Sequence, residues 1–217
     1  MSKGPTKIIA LDISTNTGYA IFEDDKLIAY DVFTIKVVNY KADVKCFSDF
    51  PKEYPDNFLL TAQKLADGCM KVIQEHQITK IIIEHPEAGK QRLSQRLLEW
   101  THYALVLRLK EAGLDYRYLL VHDWRCQVNC YIKHWPDYQK WNLKIRAAKK
   151  VAVPTKNGSI CAKIDGKRVS AINQKKLSII IANEKYGIQI KNDNIADAIN
   201  IGRAAVELGV FAELPSK

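Results

Sequence analysis

Residues 7–14, Lys-Ile-Ile-Ala-Leu-Asp-Ile-Ser, set a single acid, Asp12, inside an apolar and β-branched run. Such a run forms a buried strand, yet a carboxylate buried without a partner costs several kcal/mol. The strand therefore has to end where Asp12 meets solvent, a cation or a hydrogen-bond donor. The residues that follow build a sheet around it. Thr15-Asn16 turns the chain into a second strand, Thr17 to Phe22, and Asp24-Asp25 turns it into a third, about Lys26 to Ile35. These three form an antiparallel meander.

After an irregular stretch, Asn39 to Asn57, helical spacing of Leu59, Ala62, Leu65, Ala66, Cys69, Val72 and Ile73 predicts a helix over Phe58 to Gln77. Thr79 to Glu84 reads as a short buried strand. A long helix, about Leu93 to Ala112, ends at Gly113, and Tyr116 to Val121 reads as a further strand. The order predicts an α/β fold with a mixed sheet, the meander plus parallel strands, flanked by helices. Later come a basic helix, Lys140 to Val151, and a hairpin about Asp165-Gly166. Helices at Asn173 to Lys185 and Asp193 to Leu208 follow. We expect one domain, residues 1–217, with a basic insertion at about 125–172. At this length a fold buries roughly 70% of its unfolded surface, so it needs no disulfide or metal to hold together.

The 33 Lys and Arg against 24 Asp and Glu give a formal charge of +9. The excess is local: residues 133–176 hold twelve basic residues and two acids, a net +10, and the rest of the chain nets −1. Trp124, Tyr131, Trp135, Tyr138 and Trp141 lie beside or within that segment. Cations displace counterions from phosphates and aromatic faces hold unstacked bases, so the combination suits nucleic acid. No apolar run reaches the ~18 residues that span a bilayer, and Met1 to Pro5 lead straight into a strand without a signal-peptide core. Five cysteines without a CxxC pair fit a reducing compartment. His122, Cys126, Cys130 and His134 recur every four residues; one helix would spread them over ~18 Å, too far for one zinc, so only a broken helix or the addition of Cys161 could close a site, and small core cysteines are the ordinary reading. The expectation is a cytoplasmic protein with no membrane partner.

Three places bring acids to strand ends or helix starts: Asp12, Glu84, and Asp193 with Asp197. The last two, four residues apart, share one helix face; N-capping by Asp193 is the ordinary alternative. Acids drawn together repel unless a cation neutralises them, and Mg²⁺ or Mn²⁺ prefers such oxygen ligands. Two ions about 4 Å apart would activate a water and stabilise the leaving oxygen of a phosphodiester.

Ala10-Leu11-Asp12-Ile13-Ser14-Thr15-Asn16-Thr17-Gly18-Tyr19-Ala20 resembles the opening strand-turn-strand of RuvC-type Holliday-junction resolvases, nucleases of the RNase H-like superfamily. Ile81-Ile82-Ile83-Glu84 is similar to that family's strand ending in a catalytic Glu. Asp193-Asn194-Ile195-Ala196-Asp197-Ala198-Ile199 is similar to its terminal helix. The ordered set spans about residues 7–206. The resemblance implies an RNase H-like, homodimeric endonuclease of bacterial or phage origin, acting in the bacterial cytosol or an infected host. It would nick opposed strands of four-way DNA with two Mg²⁺ or Mn²⁺ ions and no nucleotide cofactor. Asp12 would bridge the ions, with Glu84 and Asp197 beside it. Where many members carry an acid three residues before the last Asp, this chain has Asn194, with Asp193 one place earlier. Asp193 is the expected ligand, and Asn194 offers a carbonyl oxygen. The family's lysine near the reacting phosphate falls at Lys175 or Lys176.

We expect DNA contacts from Lys90, Arg92 and Arg96 after Glu84, and from Lys144, Arg146, Lys149, Lys150, Lys163, Lys167 and Arg168 in the insertion. The helix at 93–112 is apolar around much of its circumference, which suggests a dimer face or a buried core helix. Alternatives within the fold are a flap or fork nuclease, an actin-like or sugar-kinase-type phosphotransferase, and a non-catalytic DNA-binding protein. Kinases of that class need a duplicated core and a second phosphate loop, which ten glycines and this length do not supply.

Overall fold

The computed structural model describes residues 6–35, 53–86, 92–150, 162–165 and 167–211. The meander forms as expected, with strands β1 (Lys7–Asp12), β2 (Asn16–Glu23) and β3 (Lys26–Thr34). Helix α1 (Asp56–Glu75), strand β4 (Lys80–Glu84), helix α2 (Arg92–Glu111) and strand β5 (Asp115–Leu119) follow. The sheet order is β3-β2-β1-β4-β5. β1 runs antiparallel to β2 and parallel to β4, and β4 is parallel to β5. Gly113, at φ +66°, closes α2.

β1 and β4 lie at the centre of the sheet and are covered on both sides, which is why they read as continuous apolar runs. Alternation sorts their side chains. Ile9, Leu11, Ile81 and Ile83 face α1 and α2, where they pack with Ala66, Cys69, Leu105 and Leu109. Ile8, Ala10 and Ile82 face the opposite layer. Asp12 and Glu84 continue that second series, two residues beyond Ala10 and Ile82.

The second layer comes from the C-terminal half. It comprises helices α3 (Val121–Gln127), α4 (Pro136–Lys150), α5 (Gln174–Tyr186) and α6 (Asp193–Glu207), with a 3₁₀ turn at Ile132–His134. A short hairpin joins β6 (Lys163–Ile164) to β7 (Lys167–Arg168). α6 carries alanines and Gly202 on its sheet face. A Cβ at Gly202 would stand 2.2 Å from the Phe22 ring and 3.1 Å from Ala10 Cβ, so the helix lies as close to the sheet as backbone allows.

Helix α1 lies two residues earlier than expected at both ends, and two other boundaries shift with more effect. The strand expected to reach Val121 stops at Leu119, and Val121 starts α3 instead. α4 begins at Pro136 rather than Lys140, because proline is favoured at the first helical position. Much of the irregular stretch at 39–57, the helix stop near Pro154 and the hairpin's Gly166 lie outside the described residues. No helix among those described is long and apolar enough to cross a membrane.

Candidate active site

Asp12 ends β1 and Glu84 ends β4, neighbouring parallel strands, each one residue beyond the Leu11–Ile83 pair. Both carboxylates therefore emerge at the same sheet edge and on the same face. Gly18 pairs with Asp12 across β2, and here the first turn of α6 docks. A Cβ at Gly18 would lie 2.1 Å from the Asn194 carbonyl oxygen and 2.9 Å from the Ile195 nitrogen. Only glycine admits this approach, and it sets Asp193 and Asp197 over the end of β1.

The α6 cap is Asn192. Its side-chain oxygen accepts from the Asn194 and Ile195 amides at 2.9 and 3.3 Å. Asp193 is thereby released from capping and pairs with the Lys175 ammonium on α5. The sequence left Lys175 and Lys176 open; the structure turns Lys176 toward the Ser170 hydroxyl. Asn194 meets Gly18 through its backbone carbonyl.

The electrostatics show how closely these groups stand. Burial pushes the Asp12 carboxyl well above the usual carboxylate range, and the charges of Glu84, Asp197 and Asp193 push it further against the pull of Lys175. Asp197 is raised as well, chiefly by burial, against a hydrogen bond from Ser178 and the charge of Arg125. Asp193 is lowered, foremost by its hydrogen bond from Lys175. Four acids converge with Lys175 and within reach of the Arg125 charge, two more carboxylates than cations.

As the side chains stand, no three His, Cys, Asp or Glu among the described residues are close enough to share one ion. Two of the acids are engaged elsewhere: Asp193 with Lys175, and Glu84 with the indole N–H of Trp124, which donates to Oε1 at 2.8 Å. The donor chemistry nevertheless fits a hard divalent ion. Uncompensated carboxylate oxygens at a half-open sheet edge are the ligands Mg²⁺ and Mn²⁺ take.

Trp124, expected as a base-stacking aromatic, is fully buried. No base can reach it. The reason is local: β5 ends two residues earlier than expected, and α3 carries the indole under the sheet edge. Trp135 and Tyr138 stack on each other, with ring centroids 5.3 Å apart, and pack against the same core. Cys130 is buried there too, its thiol pushed up to about 11 by burial, while Cys126 is exposed 3.6 Å from His122 Nε2. Ser178, buried on α5, bonds Asp197 and accepts from Asn200 at 2.8 Å. Of these contacts only His122–Cys126 had a sequence signal, the four-residue spacing.

Among the other expected residues, Lys144, Arg146, Lys149 and Lys150 are exposed on α4, and Lys163, Lys167 and Arg168 on the hairpin. The two elements are joined: Asn142 bonds both the amide and the carbonyl of Ile172, at 2.8 and 2.7 Å, and Trp141 reaches the Ser170 carbonyl. Arg96 is exposed on α2. Arg92 opens that helix, and Lys90 lies outside the described residues.

Among solved structures, RuvC of Thermus thermophilus in complex with a Holliday junction substrate superposes with a TM-score of 0.54. The match covers 95% of this chain and 96% of that one at 10% identity. The chain has the fold of RuvC. A second T. thermophilus RuvC structure gives a TM-score of 0.52 over 94% and 97% of the two chains at 11% identity. The yeast mitochondrial Holliday junction resolvase Ydc2 gives 0.42 over 96% and 83% at 14% identity. No family model matches the sequence, and no curated protein does. The RNase H-like mixed sheet expected from the sequence is therefore the architecture of the chain.

Proposed function

We propose that this chain is a metal-dependent endonuclease that resolves four-way DNA junctions by paired nicks. The observation that carries the reading is the convergence of Asp12, Glu84, Asp193 and Asp197 at one edge of a RuvC-type sheet, with more acids than Lys175 and Arg125 balance. Asp12, Glu84 and Asp197 would hold Mg²⁺ or Mn²⁺, two ions in all, with Asp193 as the further ligand and Asn194 the alternative one. Such ions supply an activated water and stabilisation of the leaving oxygen.

The chain's own residues do the rest. Partial burial of Asp12 and Asp197 lowers the local dielectric and strengthens their hold on a cation. Lys175 is exposed at the mouth of the site, so its ammonium is available to a phosphate oxygen once Asp193 is otherwise occupied. The linked basic surfaces of α4 and the β6–β7 hairpin would carry the backbone of a DNA arm, with Arg96 on α2 serving the other side.

Opposed nicks call for two sites, and we propose a homodimer. Leu59, Trp100, Tyr103 and Leu107 are apolar residues on the outer side of α1 and α2, bordering a groove of about 410 Å³. Tyr103 is 68% exposed, more than a solvated surface requires of an aromatic ring.

The test is cleavage of a synthetic four-way junction beside linear duplex, flap and Y-fork DNA of the same sequence, with Mg²⁺ or Mn²⁺. Paired nicks lost in EDTA and in Asp12→Asn, with junction binding kept, are expected. Preferred cutting of flaps or forks would replace the junction reading. Junction binding without cleavage by the wild-type protein would leave only a DNA-binding role, and ATP-dependent phosphoryl transfer would move the chain to another class.

A further inference from the structure

Helix α3 has no part in the metal set, yet it touches that set at two points. It starts at Val121, two residues after β5, and crosses beneath the sheet edge where β4 ends. Trp124 on this helix is fully buried among Ile8, Ala10, Ile82 and Leu177. An indole N–H is a donor only, and in an apolar core it needs an acceptor. The acceptor is Glu84 Oε1, 2.8 Å away and forty residues earlier in the chain. The next residue, Arg125, sets its guanidinium 5.0 Å from the Trp124 ring. Its charge acts on Asp197 and Cys130.

We propose that Trp124 is a positioning residue for Glu84, fixing the carboxylate in place before an ion arrives; this rests on the nuclease reading above. A glutamate has three side-chain torsions and loses considerable freedom when it becomes a ligand. A ring locked by the core, and pressed on its face by Arg125, removes that freedom in advance. Hydrogen-bond partners of metal ligands commonly work in this way, and their loss costs roughly 10–100-fold in metal affinity or activity. Trp124 meets neither substrate nor ion, so its effect should appear in how metal is bound more than in the chemical step.

The decisive substitution keeps the ring and removes the N–H: 3-benzothienylalanine at position 124, beside Trp124→Phe. Two quantities are read: Mn²⁺ affinity of the DNA-free protein by isothermal titration, and the Mg²⁺ concentration giving half-maximal junction cleavage. We expect both to worsen by about 10-fold, with the rate at saturating Mg²⁺ returning to within a few-fold of wild type. The melting temperature of the benzothienyl protein should stay that of wild type, whereas Trp124→Phe should also lose stability from its smaller ring. A benzothienyl protein with wild-type Mn²⁺ affinity and Mg²⁺ dependence would overturn the inference while leaving the nuclease intact. If the wild-type protein itself takes up no Mn²⁺ and cuts no DNA, the nuclease reading falls and this inference falls with it.

Discussion

Replacing Gly18 with alanine tests the geometry of the site without touching any acid. The new methyl would lie 2.1 Å from the Asn194 carbonyl oxygen, 2.4 Å from its carbon and 2.9 Å from the Ile195 nitrogen, all backbone atoms. Ordinary contact begins near 3.4 Å, so the neighbours have to recede by about 1.3 Å. β2 is held between β1 and β3, which leaves the first turn of α6 to move, and Asp193 and Asp197 move with it. A displacement near 1 Å in a catalytic constellation costs about 10²-fold in rate. Overpacking of this kind costs about 1–3 kcal/mol, within reach of a domain stabilised by about 5–15 kcal/mol. Single-turnover cleavage of a four-way junction at saturating Mg²⁺ should therefore fall about 100-fold, while circular dichroism reports a folded protein. Gly68→Ala is the control. Its methyl would meet the Phe33 ring at 2.7 Å, a side chain that can turn, so it should lower the melting temperature and spare the rate. A folded Gly18→Ala protein cutting at close to the wild-type rate would refute the proposed seat of α6.

Three further outcomes are expected. The folded Asp12 carboxyl titrates above its unfolded value, so without metal, stability falls as pH rises from the ordinary carboxylate range through the raised value. Asp12→Asn should flatten that fall and raise the metal-free melting temperature at pH 7.5 by about 2–4 °C per kcal/mol relieved; thermal melts showing a lower value would contradict it. Reversing Lys163, Lys167 and Arg168 to Glu should weaken junction binding and flatten its dependence on log salt by about 2–3 in slope, and an unchanged slope in fluorescence anisotropy titrations would remove the hairpin from the DNA surface. Tyr103→Glu should shift the protein toward monomer in sedimentation velocity, with paired nicks giving way to single ones; an unaltered dimer would send the interface elsewhere.

What the sequence discloses here is what periodicity and punctuation encode. The meander, β4 and α2 follow from alternating or continuous apolar runs and from turn residues such as Gly113. Asp12, Glu84 and Asp197 are visible because each breaks an apolar pattern. The role of Trp124 is not visible, because a tryptophan beside a basic segment looks the same whether it faces a base or a carboxylate forty residues away. Asn192 displaced Asp193 as the cap for a similar reason: both are good caps, and only the path of the preceding loop decides between them. Lys175 and Lys176 are likewise adjacent and chemically alike, and helix α5 separates them by turning one toward Asp193 and the other toward Ser170.

The seat of α6 against Gly18 also bears on when the proposed site is completed in a growing chain. Asp12 and Glu84 leave the ribosome early and sit in strands that can pair as soon as β4 is made. Asp193 and Asp197 arrive more than a hundred residues later, and elongation at about 5–20 residues per second makes that an interval of several seconds. Until the final helix docks, half the acids are missing, and nascent or prematurely terminated chains lack the complete acidic cluster.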